Sequence, residues 1–119
     1  MEKNMGWIEF DALQKSGVIV PVYDAGISNC TIGSEVEFVG KNIKIYRNVI
    51  IQGKIIIDSD VTIEDGSRIE GMGYIGEGSV IGCKIKNPQI GRHCIVYGLV
   101  TNSTLRDNVY VGNFAEISR

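Results

Sequence analysis

A parallel β-solenoid of about five coils, all-β apart from a short N-terminal segment, is the fold predicted by this chain of 119 residues. Three observations predict it. Isoleucine recurs every six residues, at Ile45, Ile51, Ile57, Ile63, Ile69, Ile75 and Ile81. A second apolar or small residue follows four places after most of these, at Val49, Ile55, Val61, Ser67, Ser79 and Ile85. Fifteen glycines against two prolines provide for many tight corners. A helical face repeats every 3.6 residues and a half-buried strand every two, so a period of six fits neither. It fits short strands that each send a residue inward before the chain turns to the next side.

Taken in order, residues 1–22 read as an N-terminal cap of a short helix and a strand. Trp7, Ile8, Phe10 and Leu13 are its apolar positions. Asp11 suits a helix N-cap and Gly17 a helix stop. A first coil exposes its apolar interior, so this segment is expected to cover it. Val18, Ile19, Val20 and Val22 then lead as a strand into the coils.

Residues 23–119 read as the solenoid itself. The inward positions are Ile27, Ile32 and Phe38, then Ile45 in sixes to Ile81, then Ile85, Ile90, Val96, Val100, Leu105, Val111 and Ile117. After Ile81 the steps contract to four, five and six. A related phrase occupies each five-residue step: Ile27-Ser28-Asn29-Cys30, Ile85-Lys86-Asn87-Pro88 and Val100-Thr101-Asn102-Ser103. Asparagine enters the left-handed backbone region more readily than other residues with a side chain, so it can turn these corners. A rival parse makes each contracted stretch one side carrying a loop. The shortened coil is preferred, because an apolar residue falls at the fourth step both times. The last hexad, begun at Ile117, stops at Arg119, and an open coil edge is expected to be covered by a partner, a symmetry mate or solvent-tolerant side chains.

Composition narrows the classes of function. The chain is 44% hydrophobic and 22% charged, which suits a folded domain rather than disorder. A formal net charge of −2 creates no basic field for nucleic acid. Its apolar runs are too short to cross a bilayer as a helix, and no signal-peptide core follows Met1. Cys30, Cys83 and Cys94 form no CxxC pair, and their odd number suits reduced thiols in the cytoplasm. Cys94, four places after Ile90, falls where the repeat wants a small inward residue.

The hexads Ile75-Gly76-Glu77-Gly78-Ser79 and Ile32-Gly33-Ser34-Glu35-Val36 resemble the hexapeptide-repeat left-handed β-helix family. The phrase Asn87-Pro88-Gln89-Ile90-Gly91 is similar to the branch attached to sugar nucleotidyltransferases. Tyr110-Val111-Gly112-Asn113-Phe114-Ala115-Glu116 resembles a signature of the bifunctional N-acetylglucosamine-1-phosphate uridyltransferase/glucosamine-1-phosphate acetyltransferase family. The likeness covers about residues 17–119. It implies a left-handed coil, against the usual hand of parallel crossovers, and a parallel homotrimer.

In that family a separate α/β domain performs nucleotidyl transfer, and no such segment is present in this sequence. Acetyl transfer there uses a histidine and basic residues from coils beyond the terminal phrase. The family's lysine falls on Ser118 here, and its arginine has no counterpart within Val100–Ser103. The resemblance therefore points to a scaffold or subunit related to the UDP-N-acetylglucosamine pathway, serving a separately encoded nucleotidyltransferase or acyltransferase. The alternative is an acetyl-CoA-dependent acetyltransferase acting on an amino sugar or sugar nucleotide at the trimer interface.

Candidate site residues are few. His93, the one histidine, is the candidate general base for acyl transfer. The competing reading makes it a corner residue of the Ile90 hexad, and this is favoured because no carboxylate stands in obvious position to orient it. Cys94 adjoins His93, but neighbours along a strand point to opposite faces, which argues against a dyad. Asp58, Asp60, Glu64, Asp65 and Glu70 suit a solvated rim better than a cation site, and Gly71, Gly73, Gly76 and Gly78 suit corners better than a phosphate loop. With fifteen-residue coils, Val80, Ile95 and Tyr110 are expected to stack on one outer side beside Tyr97. Outward apolar stripes mark interfaces; contact between subunits of a trimer is the favoured reading here, and a ligand groove between subunits the minor one.

Overall fold

The structure, a computed structural model, describes residues 16–20, 30–113 and 115–118. The expected capping helix with Trp7, Ile8, Phe10 and Leu13, the strand residue Val22, and the corner at residues 27–29 lie outside the described residues. Over the described residues the chain is a parallel β-solenoid of about five turns without helix.

Its strands fall on three sides. Side one stacks Ile19–Val20, Ile43–Ile45, Thr62–Ile63, Val80–Ile81, Ile95–Val96 and Tyr110–Val111 in that order. Ile50–Ile57 and Arg68–Ile75 each run from side two through a corner onto side three, paired along their whole length. Thr31–Ile32, Lys84–Lys86, Leu99–Thr101 and Glu116–Ser118 complete side two. Glu37–Phe38, Gln89–Ile90 and Thr104–Leu105 complete side three.

The hexad isoleucines become vertical columns. Ile45, Ile63, Ile81, Val96 and Val111 stack in register on side one. Ile32, Ile51, Ile69, Ile85, Val100 and Ile117 do so on side two. All of these are buried except Ile117, which is half-buried on the last described turn. Burying an isoleucine completely contributes about 1.5–3 kcal/mol, so these columns dominate stability. Their neighbours Val49, Ile55, Val61, Ser67, Ser79 and Cys94 are also buried.

The inward serines are satisfied. Ser67 Oγ lies 2.7 Å from Glu64 O and 3.1 Å from Ile81 O, and Ser79 Oγ donates to Gly91 O at 2.9 Å. Among the described residues no buried side-chain nitrogen or oxygen lacks a partner. Cys94 packs as expected, with its thiol donating to Arg106 O at 3.0 Å, and the three cysteines form no disulfide.

Coil length changes midway. Ile45, Ile63 and Ile81 are eighteen residues apart, whereas Ile81, Val96 and Val111 are fifteen apart. Ile85 and Val100 take their places in the side-two ladder, so the contracted stretches are shortened sides rather than loops.

Corners are built from the residues that tolerate positive φ. Between sides three and one stand Asn42, Asp60, Gly78, His93 and Asn108, at φ 59, 60, 75, 56 and 62. Backbone hydrogen bonds tie successive corners together: Gly78 N donates to Ser59 O, His93 N to Glu77 O and Asn108 N to Arg92 O, at 3.0, 2.8 and 2.9 Å. Between sides two and three stand Gly53, Gly71, Asn87 and Asn102, at φ 101, 96, 53 and 52. Asn87 and Asn102 thus turn the corners as their phrases predict.

Candidate interface on the outer face of side one

Val80, Ile95 and Tyr110 are direct neighbours in the side-one ladder, as the fifteen-residue spacing predicts. Their side chains point outward because Ile81, Val96 and Val111, the next residues of the same strands, fill the core. Ile95 is 37% exposed and Tyr110 65%, so an apolar stripe climbs the surface over three coils. The other large exposed apolar residues among those described, Val39, Ile56, Met72 and Leu99, belong to other sides or corners.

Tyr97 belongs to a second outward column. The residues following Ile45, Ile63, Ile81, Val96 and Val111 are Tyr46, Glu64, Gly82, Tyr97 and Gly112. Their amides hold them in sequence: Tyr46 N donates to Ile63 O, Glu64 N to Ile81 O, Gly82 N to Val96 O and Tyr97 N to Val111 O. Gly82 leaves room for Tyr97 to lean across it, and a Cβ there would stand 2.5 Å from Tyr97 Cδ1. The Tyr97 hydroxyl thereby comes within 3.5 Å of Glu64 Oε2, and its ring meets Tyr110 edge-on, 6.5 Å between centroids at 71°. Partial desolvation, then the Glu64 carboxylate, raise the Tyr97 phenol above its ordinary pKa. Beside this contact lies a pocket of about 300 Å³ lined by Tyr46, Glu64, Asp65 and Gly82. It sets two carboxylates beside one aromatic ring, a chemistry that suits a cation.

The spacing of the inward residues could have found this column. Eighteen-residue and then fifteen-residue steps from Tyr46 lead to Glu64, Gly82, Tyr97 and Gly112, but sequence reasoning applied them only to the neighbouring stripe. The outer face of side two was missed for the same reason. Arg68, Lys84, Leu99 and Glu116 stack there, with Glu70 and Lys86 in the next outward column. Glu70 pairs with Arg68 Nε at 3.0 Å, and Leu99 is 37% exposed.

His93 lies away from both columns, exposed on the corner between sides three and one. Among the described residues none hydrogen-bonds to its imidazole. Its backbone, like that of Asn42, Asp60 and Asn108, occupies a conformation histidine visits more readily than most residues with a side chain. Cys94, beside it, points into the core.

The acidic residues take separate partners. Asp58 accepts from Tyr74 Oη at 2.5 Å and Ser59 N at 2.7 Å, Asp65 accepts from Arg47 N at 2.9 Å, and Glu70 pairs with Arg68. Among the described residues no three Asp, Glu, His or Cys side chains gather in a way that could hold a metal ion. No family model matches the sequence, and no solved structure matches it significantly.

Proposed function

We propose that this chain is a self-associating β-solenoid module, a cytoplasmic homotrimer without catalysis of its own. Its role is that of a scaffold or subunit beside sugar-nucleotide transferases of the UDP-N-acetylglucosamine kind. The observation that carries the association is the outward stripe of Val80, Ile95 and Tyr110, extended by Tyr97. Outward strand positions on a solvated sheet are ordinarily polar, and a contiguous apolar set is stabilised when a partner covers it. The pathway assignment is supported by the hexads and by the Tyr110–Glu116 phrase alone.

The absence of catalysis is argued from His93. An acid–base histidine needs an orienting partner and a reacting group within reach. His93 instead serves the backbone at an exposed corner, in a ladder whose other members are Asn, Asp and Gly. The acetyl-CoA-dependent reading keeps only the motif likeness. An assay with acetyl-CoA and amino-sugar acceptors separates the two readings: a transfer lost in His93→Ala would displace the scaffold.

Light scattering across a concentration series tests the module directly. The expected mass is that of three chains, and Ile95→Asp is expected to reduce it to one. A wild-type chain that stays monomeric at every concentration would sink the proposal.

A further inference from the structure

The corner between sides two and three, across the solenoid from side one, changes shape where the turns shorten. In the last wide turn five residues, Glu70 to Tyr74, join the inward Ile69 and Ile75. In the narrow turns above, four residues do so, Lys86 to Gln89 and then Thr101 to Thr104. Glu70 lies beneath Lys86 and Tyr74 beneath Gln89 in the strand ladders. Gly71 lies against the Asn87 side chain and Gly73 against Pro88 O, so Met72 is the residue with no counterpart above it. Its amide is taken by a side chain of the next turn, Met72 N donating to Asn87 Oδ1 at 3.1 Å, and its own side chain is 63% exposed.

This surplus residue forms a ledge beneath two tighter corners. Above it lies a notch of about 340 Å³, lined by Met72, Asn87, Gln89, Asn102, Ser103 and Thr104. Among the described residues no charged side chain and no aromatic ring lines it. Asn87 Nδ2 donates to Asn102 Oδ1 at 2.5 Å, which leaves Asn102 Nδ2 free. The Gln89 amide and the Thr104 hydroxyl are likewise without side-chain partners among the described residues.

These properties select a ligand chemistry. Phosphates and charged peptides are held by charge-assisted hydrogen bonds, for which the notch has no charged group. Nucleobases stack on aromatic side chains, and it has no such platform. A primary amide carries donor and acceptor together, as a peptide group does, and can pair with a main chain. A thioether adapts to apolar side chains of differing shape. We propose that the notch grips an extended, uncharged segment of a partner protein. The main chain of that segment pairs with the free amides of Gln89 and Asn102, and one of its apolar side chains rests on Met72. Because the corner faces away from side one, the notch stays open when side one is covered.

A generic peptide is a fair probe, since the amides read main chain. Titration of the isotope-labelled full chain with acetyl-seryl-leucyl-serine amide, to about 10 mM, is followed by NMR. The side-chain amide signals of Gln89 and Asn102 and the Met72 methyl are expected to move, and that of Gln52, on side two, to stay. Gln89→Ala is expected to weaken binding by roughly three- to tenfold, the loss of one hydrogen bond. Deleting Met72 gives this corner the length of those above and is expected to abolish the response. Met72→Ser keeps the corner length and tests the thioether alone, should the deletion fail to fold. No movement at the highest peptide concentration, or equal binding by wild type, Gln89→Ala and Met72→Ser, would overturn the proposal. So would maltose, a neutral disaccharide, moving these signals where the peptide does not. The mass measured by light scattering is a separate readout: a monomer that binds the peptide keeps the notch, and a trimer that ignores it keeps the module.

Discussion

The eighteen-residue turns and the fifteen-residue turns solve the same problem with different corners. In the wide turns, side two runs into side three without a break. Gly53 and Gly71 sit at φ 101 and 96, and the eight-residue strands Ile50–Ile57 and Arg68–Ile75 stay paired through the bend. In the narrow turns the same corner is made by Asn87 and Asn102 at φ 53 and 52, and the strands stop on either side of it. The corner from side three to side one is unchanged between the two regions, running through Asp60, Gly78, His93 and Asn108.

The loss of three residues per turn therefore falls on two corners and spares the third. Interiors change with it. The inward column Val36 and Ile55 gives way to Gly73, Pro88 and Ser103 on side three, and Val49 and Ser67 give way to Cys83 and Gly98 on side two. Ser67 and Gly73 are already small within the last wide turn, and at the two shortened corners no isoleucine or valine follows them in these columns. The narrowing also sets the height-to-height spacing that places Val80, Ile95 and Tyr110 in one line.

Substitutions sharpen this comparison, beginning with the interior. Ile69→Ala, in the wide region, is expected to cost about 2–5 kcal/mol in denaturant unfolding. Val100→Ala, its counterpart in the narrow region, removes less hydrocarbon and should cost about 1.5–2.5 kcal/mol. Equal losses would mean that the two interiors are packed alike.

Corners come next. Gly53→Ala is expected to cost about 1–3 kcal/mol, because φ near 100° strains any residue with a Cβ and the methyl would meet Gly71 O. Asn102→Gly should stay within about 1 kcal/mol of wild type, since glycine adopts the same corner freely. A reversed order in thermal denaturation would break the distinction between the two kinds of corner.

A smaller effect belongs to the wide turns. Donation from Tyr74 Oη, then from Ser59 N, holds Asp58 below the usual carboxylate range. A lowered native pKa stabilises the fold above the unfolded value of about 3.9 and is lost as pH falls through the native one. The opposite sign applies to Tyr74, whose phenol is raised chiefly by that same bond. Its contribution holds below the unfolded value of about 10 and fades as pH rises through the native one. Tyr74→Phe is expected to flatten both arms of the stability–pH curve slightly, and an unchanged curve would show that the bond contributes nothing.

The narrow turns supply the smallest effect. Desolvation pushes the Cys83 thiol up to about 11, and it donates to Gly98 O across the shortened corner. At pH 8 only about one thiol in a thousand is then ionised, so native alkylation should be far slower than for a free cysteine. Rapid labelling of Cys83 would show that the corner opens.

Much of this molecule was legible in advance, because a solenoid converts sequence spacing directly into vertical neighbours. Adding eighteen or fifteen to a residue number names the residue above it. Hence the inward columns, the Val80–Ile95–Tyr110 stripe and the asparagine corners could all be read from spacing, and His93 fell among corner residues. Spacing is silent on how far a side chain leans along the axis. The reach of Tyr97 over Gly82 to Glu64 and the Tyr74–Asp58 bond depend on rotamers and neighbours three-dimensionally arranged. The sequence by itself determined which residues face in and where the turns shorten, since burial of isoleucine and positive φ leave few alternatives. Only the tertiary structure decided what the outer faces present, because solvent tolerates many side chains there and their chemistry emerges from the neighbours that the coil brings alongside.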